Sequence, residues 1–312
     1  MTSKFNYIRA HIVILFTFCF FMALGLFMIL YISKETLAGK SPIPVYIFGF
    51  FSLFLGFYSV YVYLKQVPIV KLDERKIKFK SLIRHEEIDW NEIKRIKPTG
   101  KASFRYILPF PMEALTIYMN SGKKYIIFDE YYSNSFLLKQ FINSYFKTKT
   151  FPKPKKDNKV SNQDIRFEQF NTVKGNAIFS FNGIIIWGML LFFIFILITK
   201  SSNIAKAIVP LSIIGSIWYL FNGYLCHYFE LSNKFLVIRN HYLPWISSKY
   251  RNEDIKEIVF ETRDKMPNCL RVITHSFKTK LYPAGTLKDS DWKSIIPHMK
   301  KNGIKVRNEC IG

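Results

Sequence analysis

Four apolar runs stand out along the chain, residues 12–32, 45–64, 179–199 and 207–226, and none contains Asp, Glu, Lys or Arg. Their lengths of 21, 20, 21 and 20 residues suffice, at about 1.5 Å per helical residue, for a hydrocarbon layer of roughly 30 Å. They fall in two close pairs separated by 12 and seven residues. The pattern predicts two membrane hairpins. Lys4 and Arg9 precede the first run, and Thr36-Leu37-Ala38 loosely resembles a cleavage site, so a removed signal peptide is the alternative for that segment. The length of the run and the second span close behind it favour a hairpin.

Outside these runs the apolar period falls to two. Leu72-Asp73-Glu74-Arg75-Lys76-Ile77-Lys78-Phe79 lines up with Leu231-Ser232-Asn233-Lys234-Phe235-Leu236-Val237-Ile238 at an offset of 159 residues, each reading as strand, polar turn and strand. Asn91 to Ile96 lines up with Glu253 to Ile258 at an offset of 162. Further strand-like runs follow over 113–119, 124–128, 269–274 and 278–282. The period then lengthens toward 3.6. Leu138, Phe141, Ile142 and Tyr145 share one helical face, as do Trp292, Ile295, Ile296 and Met299. Residues around Ser133 and Asp289 can cap these two helices, and Pro297 is expected to shorten or kink the second. The chain thus predicts a duplicated unit: a hairpin, then a small curved sheet or barrel closed by one amphipathic helix.

At this point the chain resembles a family, the bacterial membrane proteins in which a two-helix transmembrane hairpin precedes a pleckstrin-homology-like domain. The segment that carries the likeness is Ile88-Asp89-Trp90-Asn91-Glu92-Ile93-Lys94-Arg95-Ile96. The second copy departs from it, with Tyr250 and Asn252 in place of Ile88 and Trp90. The resemblance implies about seven strands capped by a helix, and it implies a binding or scaffold module, not an activity. The expected fold class is therefore an α+β membrane protein with four transmembrane helices in two hairpins, each followed by a cytoplasmic PH-like β-barrel or sandwich with a C-terminal helix. The expected domains are a first hairpin (1–66), a first PH-like domain (67–148), a basic linker (149–176), a second hairpin (177–227) and a second PH-like domain (228–312).

Composition changes the picture through charge. The 312 residues include 45 Lys and Arg against 22 Asp and Glu, a formal +23, beside 49% hydrophobic residues. A soluble polycation does not carry that apolar content. The short connections inside the hairpins hold only Lys34 and Lys40, or Lys200 and Lys206, whereas 65–178 holds 23 basic and 12 acidic residues and 227–312 holds 16 and nine. The positive-inside rule then places both large blocks, and both termini, in the cytoplasm of a multi-pass cell-membrane protein. Cys19, Cys226, Cys269 and Cys310 are widely spaced, which suits reduced thiols better than a disulfide framework.

Catalytic patterns are sparse. Gly39-Lys40-Ser41 lacks the glycine that a phosphate loop needs five residues earlier, and His85-Glu86-Glu87 lacks the second His of a zinc helix. The six His are scattered and read as surface or interfacial residues, and Glu86, Glu87, Asp89 and Glu92 read as water-facing. No catalytic residue, metal or other cofactor is assigned. The candidate contacts to anionic lipid are Lys76, Lys78 and Lys80, an ammonium row on one strand, and Lys147, Lys149, Lys153, Lys155, Lys156 and Lys159 in and around the linker. Gly49, Ser52, Gly56 and Ser59 form a small-residue stripe that could seat one hairpin on the other or support a homodimer, and Asn182 and Asn222 could bond each other or a neighbouring helix. The expected function is a non-enzymatic membrane scaffold or sensor whose partners are the bilayer, with its anionic headgroups, and an unidentified protein, not nucleic acid. A small transporter or channel subunit is the alternative, and a membrane enzyme with an unrecognised site the third.

Overall fold

A computed structural model of the chain describes residues 1–32, 41–105, 109–150, 160–199, 204–262 and 266–310. The chain divides into two compact units, Met1–Lys155 and Lys156–Gly312. Both are α+β.

The first unit begins with residues 1–3, which pair with the first strand: Leu72 N–H donates to the Met1 carbonyl at 2.7 Å and Ser3 N–H to that of Val70 at 2.8 Å. The chain then enters helix α1 (Val13–Phe27), extended by a π-helical turn at each end. Helix α2 (Ile43–Gln66) packs back against it. Strands β1 (Ile69–Leu72), β2 (Lys76–Lys80) and β3 (His85–Asp89) form an antiparallel meander. In a second sheet the long β6 (Phe110–Met119) pairs with β4 (Ile93–Lys97), β5 (Lys101–Phe104) and β7 (Lys124–Phe128). Helix α3 (Ser135–Thr148) closes the unit, and its Leu138 and Ile142 join Ile77, Ile88, Leu115 and Ile117 in one buried core.

The second unit also runs through two apolar helices, a three-strand meander, a second sheet and a closing helix. Strand β8 (Asn171–Val173) pairs with the edge of β9, helices α4 (Phe181–Thr199) and α5 (Ile204–Tyr224) follow, and then β9 (His227–Leu231), β10 (Phe235–Asn240) and β11 (Ser247–Arg251). Strands β12 (Ile255–Thr262), β13 (Asn268–Thr274) and β14 (Thr279–Pro283) form its second sheet, and α6 (Asp289–Lys301) closes the core with Trp292, Ile295 and Met299. Three elements differ: β5 has no counterpart, β8 precedes the second hairpin, and β15 (Lys305–Asn308) lies parallel on the outer edge of β12. On β4, among the described residues, no strand covers the corresponding edge.

Three helical stretches, Ala10–Leu30, Ile43–Gln66 and Phe181–Thr199, are long and apolar enough to cross a membrane, and the apolar part of α5 described in full, Ile208–Tyr224, is shorter. Their outer faces carry exposed Phe16, Phe54, Phe192 and Ile217. A contiguous surface of this kind is not one that water solvates.

Several local expectations are corrected. Helix α6 runs through Pro297 to Lys301; the carbonyl that the proline leaves without a donor belongs to Lys293, on the exposed face. No side chain caps α3, and Ser133 instead donates to the Lys4 carbonyl at 3.2 Å. At α6 the cap is Asp291, which accepts from Lys288 N–H at 2.9 Å. The stretch 149–176 is not all linker, because Ile165 packs against Phe235 and Val237, and β8 lies within it.

The divergent motif also has a physical account. Trp90 N–H donates to the Asp73 carbonyl at 2.9 Å. In the second unit Asn252 Nδ2 donates to the carbonyls of Ser232 and Asn233, both at 3.0 Å, so an amide holds the same strand turn as the indole.

Lys139 of α3 is paired with Asp129 at 2.6 Å, and each side chain is only 2% exposed. Deleting one partner strands a charge in the core. Asp129→Ala is expected to lower the unfolding free energy of the micelle-bound protein by about 3–5 kcal/mol, and the double variant Asp129→Leu/Lys139→Met by far less. Equal losses in single and double variants would show that the pair's charges do not set the cost.

Candidate membrane-interface site

The small-residue stripe is the starting point. Gly49, Ser52, Gly56 and Ser59 are buried, but their contact is with α1 of the same hairpin. A Cβ on Gly49 would lie 2.4 Å from Ile29 Cγ1, and one on Gly25 would lie 2.8 Å from the Gly49 carbonyl oxygen. Ser52 Oγ donates to the Phe21 carbonyl at 3.1 Å, whereas Ser59 Oγ satisfies itself within the helix on Gly56. The stripe therefore packs within its own hairpin, a contact that the sequence did not single out. Gly25 is the missed half of the contact, visible in the sequence as the one glycine of the first apolar run.

Asn182 and Asn222 do not bond each other. Asn222 Nδ2 donates to the Trp218 carbonyl one turn back at 3.0 Å, and Asn182 packs on Gly285, where a Cβ would lie 2.5 Å from its Nδ2.

Each apolar hairpin runs into its sheet almost without a linker. Only Val67 and Pro68 separate α2 from β1, and only Leu225 and Cys226 separate α5 from β9. A helix end leaves carbonyls without donors, and here the sheet supplies them. Arg84, in the β2–β3 turn, donates from Nη1 to the Lys65 carbonyl at 3.1 Å while its Nη2 holds Glu86 at 2.9 Å. Gln66 and Arg105 exchange a pair of bonds at 2.6 and 2.9 Å. In the second unit Asn240, at the end of β10, donates to the Gly223 carbonyl at 2.8 Å, and Tyr219 OH of α5 donates to the Tyr242 carbonyl at 3.0 Å.

These bonds place one hairpin tip of each unit beside a helix end. The β2–β3 tip exposes Leu82 and Ile83, at 85% and 49%, and the β10–β11 tip exposes Trp245 at 70%. A short apolar group in a turn has no period to mark it in the sequence. Their signal is the conflict between bulky apolar side chains and a turn that should be polar.

The expected basic face is less free than the sequence suggests. Ile77 and Phe79 are buried between Lys76, Lys78 and Lys80 as alternation requires, but Lys76 and Lys78 both pair with Glu87 of β3, at 3.2 and 3.3 Å. Hydrogen bonds from Lys76 and then Lys78 hold the Glu87 carboxyl below its ordinary range. Among the described residues Lys80 alone of the row has no carboxylate partner. Lys76 and Lys78 stay 44% exposed but share one carboxylate, so the row is partly neutralised. Lys147 lies in the last turn of α3, and Lys149 ends that helix in a left-handed conformation at φ 57°. Lys153, Lys155, Lys156 and Lys159 lie outside the described residues, as do Gly39 and Lys40.

His227, expected at a surface, is 1% exposed at the start of β9. Its Nδ1 donates to the Pro283 carbonyl at 2.9 Å, and its ring meets those of Tyr224 and Tyr282 edge-on. Burial lowers its pKa from 6.5 to about 4, against the weaker raising effect of the Pro283 bond. Among the described residues, no cluster of three His, Cys, Asp or Glu side chains could hold a metal ion.

No family model matches this chain, and no curated protein matches it.

Two outcomes are expected at these junctions. His227 is neutral when folded and protonates near pH 6.5 when unfolded, so its stabilisation is complete above pH 6.5 and is lost as pH falls toward 4. Between pH 6.5 and 5 the wild type should lose about 2 kcal/mol more unfolding free energy than His227→Gln; parallel curves in urea titrations would contradict this. A polarity-sensitive fluorophore at Leu82→Cys or Trp245→Cys, in a Cys19→Ser background, should emit blue-shifted in liposomes and be quenched by nitroxides near the headgroups, unlike one at Lys94→Cys. Water-like emission from both tips would exclude the bilayer from them.

Proposed function

We propose that this protein is a non-enzymatic membrane scaffold or sensor built from two copies of one unit, each a membrane-spanning hairpin fused rigidly to a cytoplasmic PH-like module. The observation that carries this reading is the two-residue junction in each unit, clasped by Arg84 and Gln66 in one and by Asn240 in the other. A module joined in this way cannot wander from the bilayer. Its orientation is set by the helices, and the apolar tips at Leu82, Ile83 and Trp245 rest in the headgroup layer as interfacial anchors. The four helices of the two hairpins cross the membrane on this reading, α5 included. The open edge of β4 faces away from its own sheet and suits recognition of an extended protein segment by strand addition.

Transport is less well supported by the second hairpin. A cleft of about 650 Å³ separates α4 and α5, but its lining is apolar apart from the Ser212, Ser216 and Tyr219 hydroxyls and the Trp187 indole. A permeation path for ions needs charged or carbonyl groups at that depth.

The test combines placement and partnership. An impermeant maleimide should label Lys80→Cys and Lys293→Cys only after cells are permeabilised, and a photo-cross-linker at Lys94 on β4 should capture a defined protein. External labelling of either cysteine would defeat the cytoplasmic assignment. Faster solute or ion flux through proteoliposomes than through empty vesicles would favour the transporter instead.

A further inference from the structure

The outer edge of the second sheet is occupied in one unit and open in the other. Strand β15 lies parallel on β12, with Lys305 opposite Glu257, Val306 opposite Ile258 and Arg307 opposite Val259. Glu309 N–H extends the contact by donating to the Phe260 carbonyl at 2.8 Å. Among the described residues no strand lies on the free edge of β4.

The two edges correspond residue by residue. Each strand pairs on its inner side with an antiparallel neighbour, and the register shifts at the same step, between Ile93 and Arg95 on β4 and between Ile255 and Glu257 on β12. Arg95 therefore stands in the place of Glu257, Ile96 in that of Ile258 and Lys97 in that of Val259.

Charge and burial then specify an occupant. Glu257 is 1% exposed, held by Lys305 at 3.2 Å and Arg307 at 3.5 Å, while Val306 packs on the apolar core. A basic-apolar-basic strand thus covers an edge that carries a carboxylate. On β4 the sign is reversed. Lys94, Arg95 and Lys97 are exposed, and among the described residues none of them has a carboxylate partner. Arg95 lies over the Tyr118 ring at 4.5 Å, which holds its guanidinium along the sheet. Ile96 is half-buried against the first core, as Val306 is against the second.

The sequence that follows α3 has the wrong chemistry for this edge. Phe151-Pro152-Lys153-Pro154-Lys155 brings prolines without an N–H and charges of the same sign as Arg95 and Lys97, whereas Ile304 and β15 follow α6. An edge with unpaired N–H and C=O groups accepts a further strand, and like charges opposite each other disfavour a basic one. Resting on the strand-addition reading proposed above, we infer that the β4 edge binds an extended protein segment of acidic-apolar-acidic pattern, with Asp or Glu side chains on Arg95 and Lys97 and the apolar one beside Ile96.

Two fluorophore-labelled peptides with blocked ends serve as probes, one with the sequence of residues 303–309 and one with Lys305→Glu and Arg307→Glu in that sequence. With the full-length protein in non-ionic detergent, fluorescence anisotropy should show the acidic peptide binding about tenfold or more tighter than the basic one, the scale of one hydrogen bond between charged groups. Arg95→Glu should reverse that preference, and Lys97→Glu should reduce it. Methylating alternate amides of the acidic peptide should abolish binding in one phase and spare it in the other, as a strand ladder requires. Equal binding of the two peptides, an unchanged preference in both variants, or indifference to methylation in either phase would overturn the inference. Binding of neither peptide would make the three cations a guard against self-pairing and overturn it as well. If the photo-cross-linker at Lys94 still captures a protein in cells, the acidic pattern alone falls; if it captures none, the strand-addition reading falls with it.

Discussion

A backbone that leaves an apolar helix must find partners for its last carbonyls at once, and this requirement shapes both units. Neither helix end is followed by a flexible tether. Instead, Arg84 and Asn240 reach from the sheet to the final turns of α2 and α5, Gln66 at the end of α2 exchanges bonds with the Arg105 backbone, and the strands begin after two residues. The hairpin tip that carries the clasp is thereby brought to the helix end. Exposed Leu82, Ile83 and Trp245 occupy their places as a consequence of satisfying those carbonyls.

The two hairpins solve their own packing differently. In the first, Gly25 and Gly49 allow backbones to touch, and Ser52 adds a bond across the interface. In the second, a Cβ on Gly188 would meet nothing within 4 Å, and a cleft opens between α4 and α5. Close contact needs small residues facing each other on both helices. In the second hairpin α5 presents Ser212, Gly215 and Ser216, but α4 faces them with bulky Leu190, Phe193 and Ile194.

The two units tie a similar strand turn with dissimilar residues. Trp90 and Asn252 share only a side-chain N–H, yet each ties the first strand turn to the segment that follows the third strand. The closing helices do the same work with Tyr145, whose hydroxyl donates to the Glu74 carbonyl, and His298, whose Nε2 donates to the Ser232 carbonyl. Identity is low where geometry is retained, because a backbone carbonyl accepts from any well-placed donor. The units diverge in their buried ion pairs, Asp129 with Lys139 in one and Glu261 with Arg271 in the other, and β15 covers an edge that, among the described residues, no strand covers on β4.

Period and length were enough to determine the apolar helices, the alternating strands around Ile77 and Phe79, and the amphipathic faces of Leu138 and Trp292. Those patterns are local, and burial follows them directly. The small-residue stripe was legible too, but not what it packs on. Lys76 and Lys78 looked like a free cationic row because Glu87 is adjacent only through the β2–β3 register. His227 looked like a surface residue because its burial comes from Tyr224, Tyr282 and Pro283, far apart in the chain. The opposite charge of the β4 and β12 edges acquires meaning only through β15, which sheet topology sets on β12. Tertiary structure alone decided these features, since charge pairing, desolvation and strand pairing depend on which distant groups share a space.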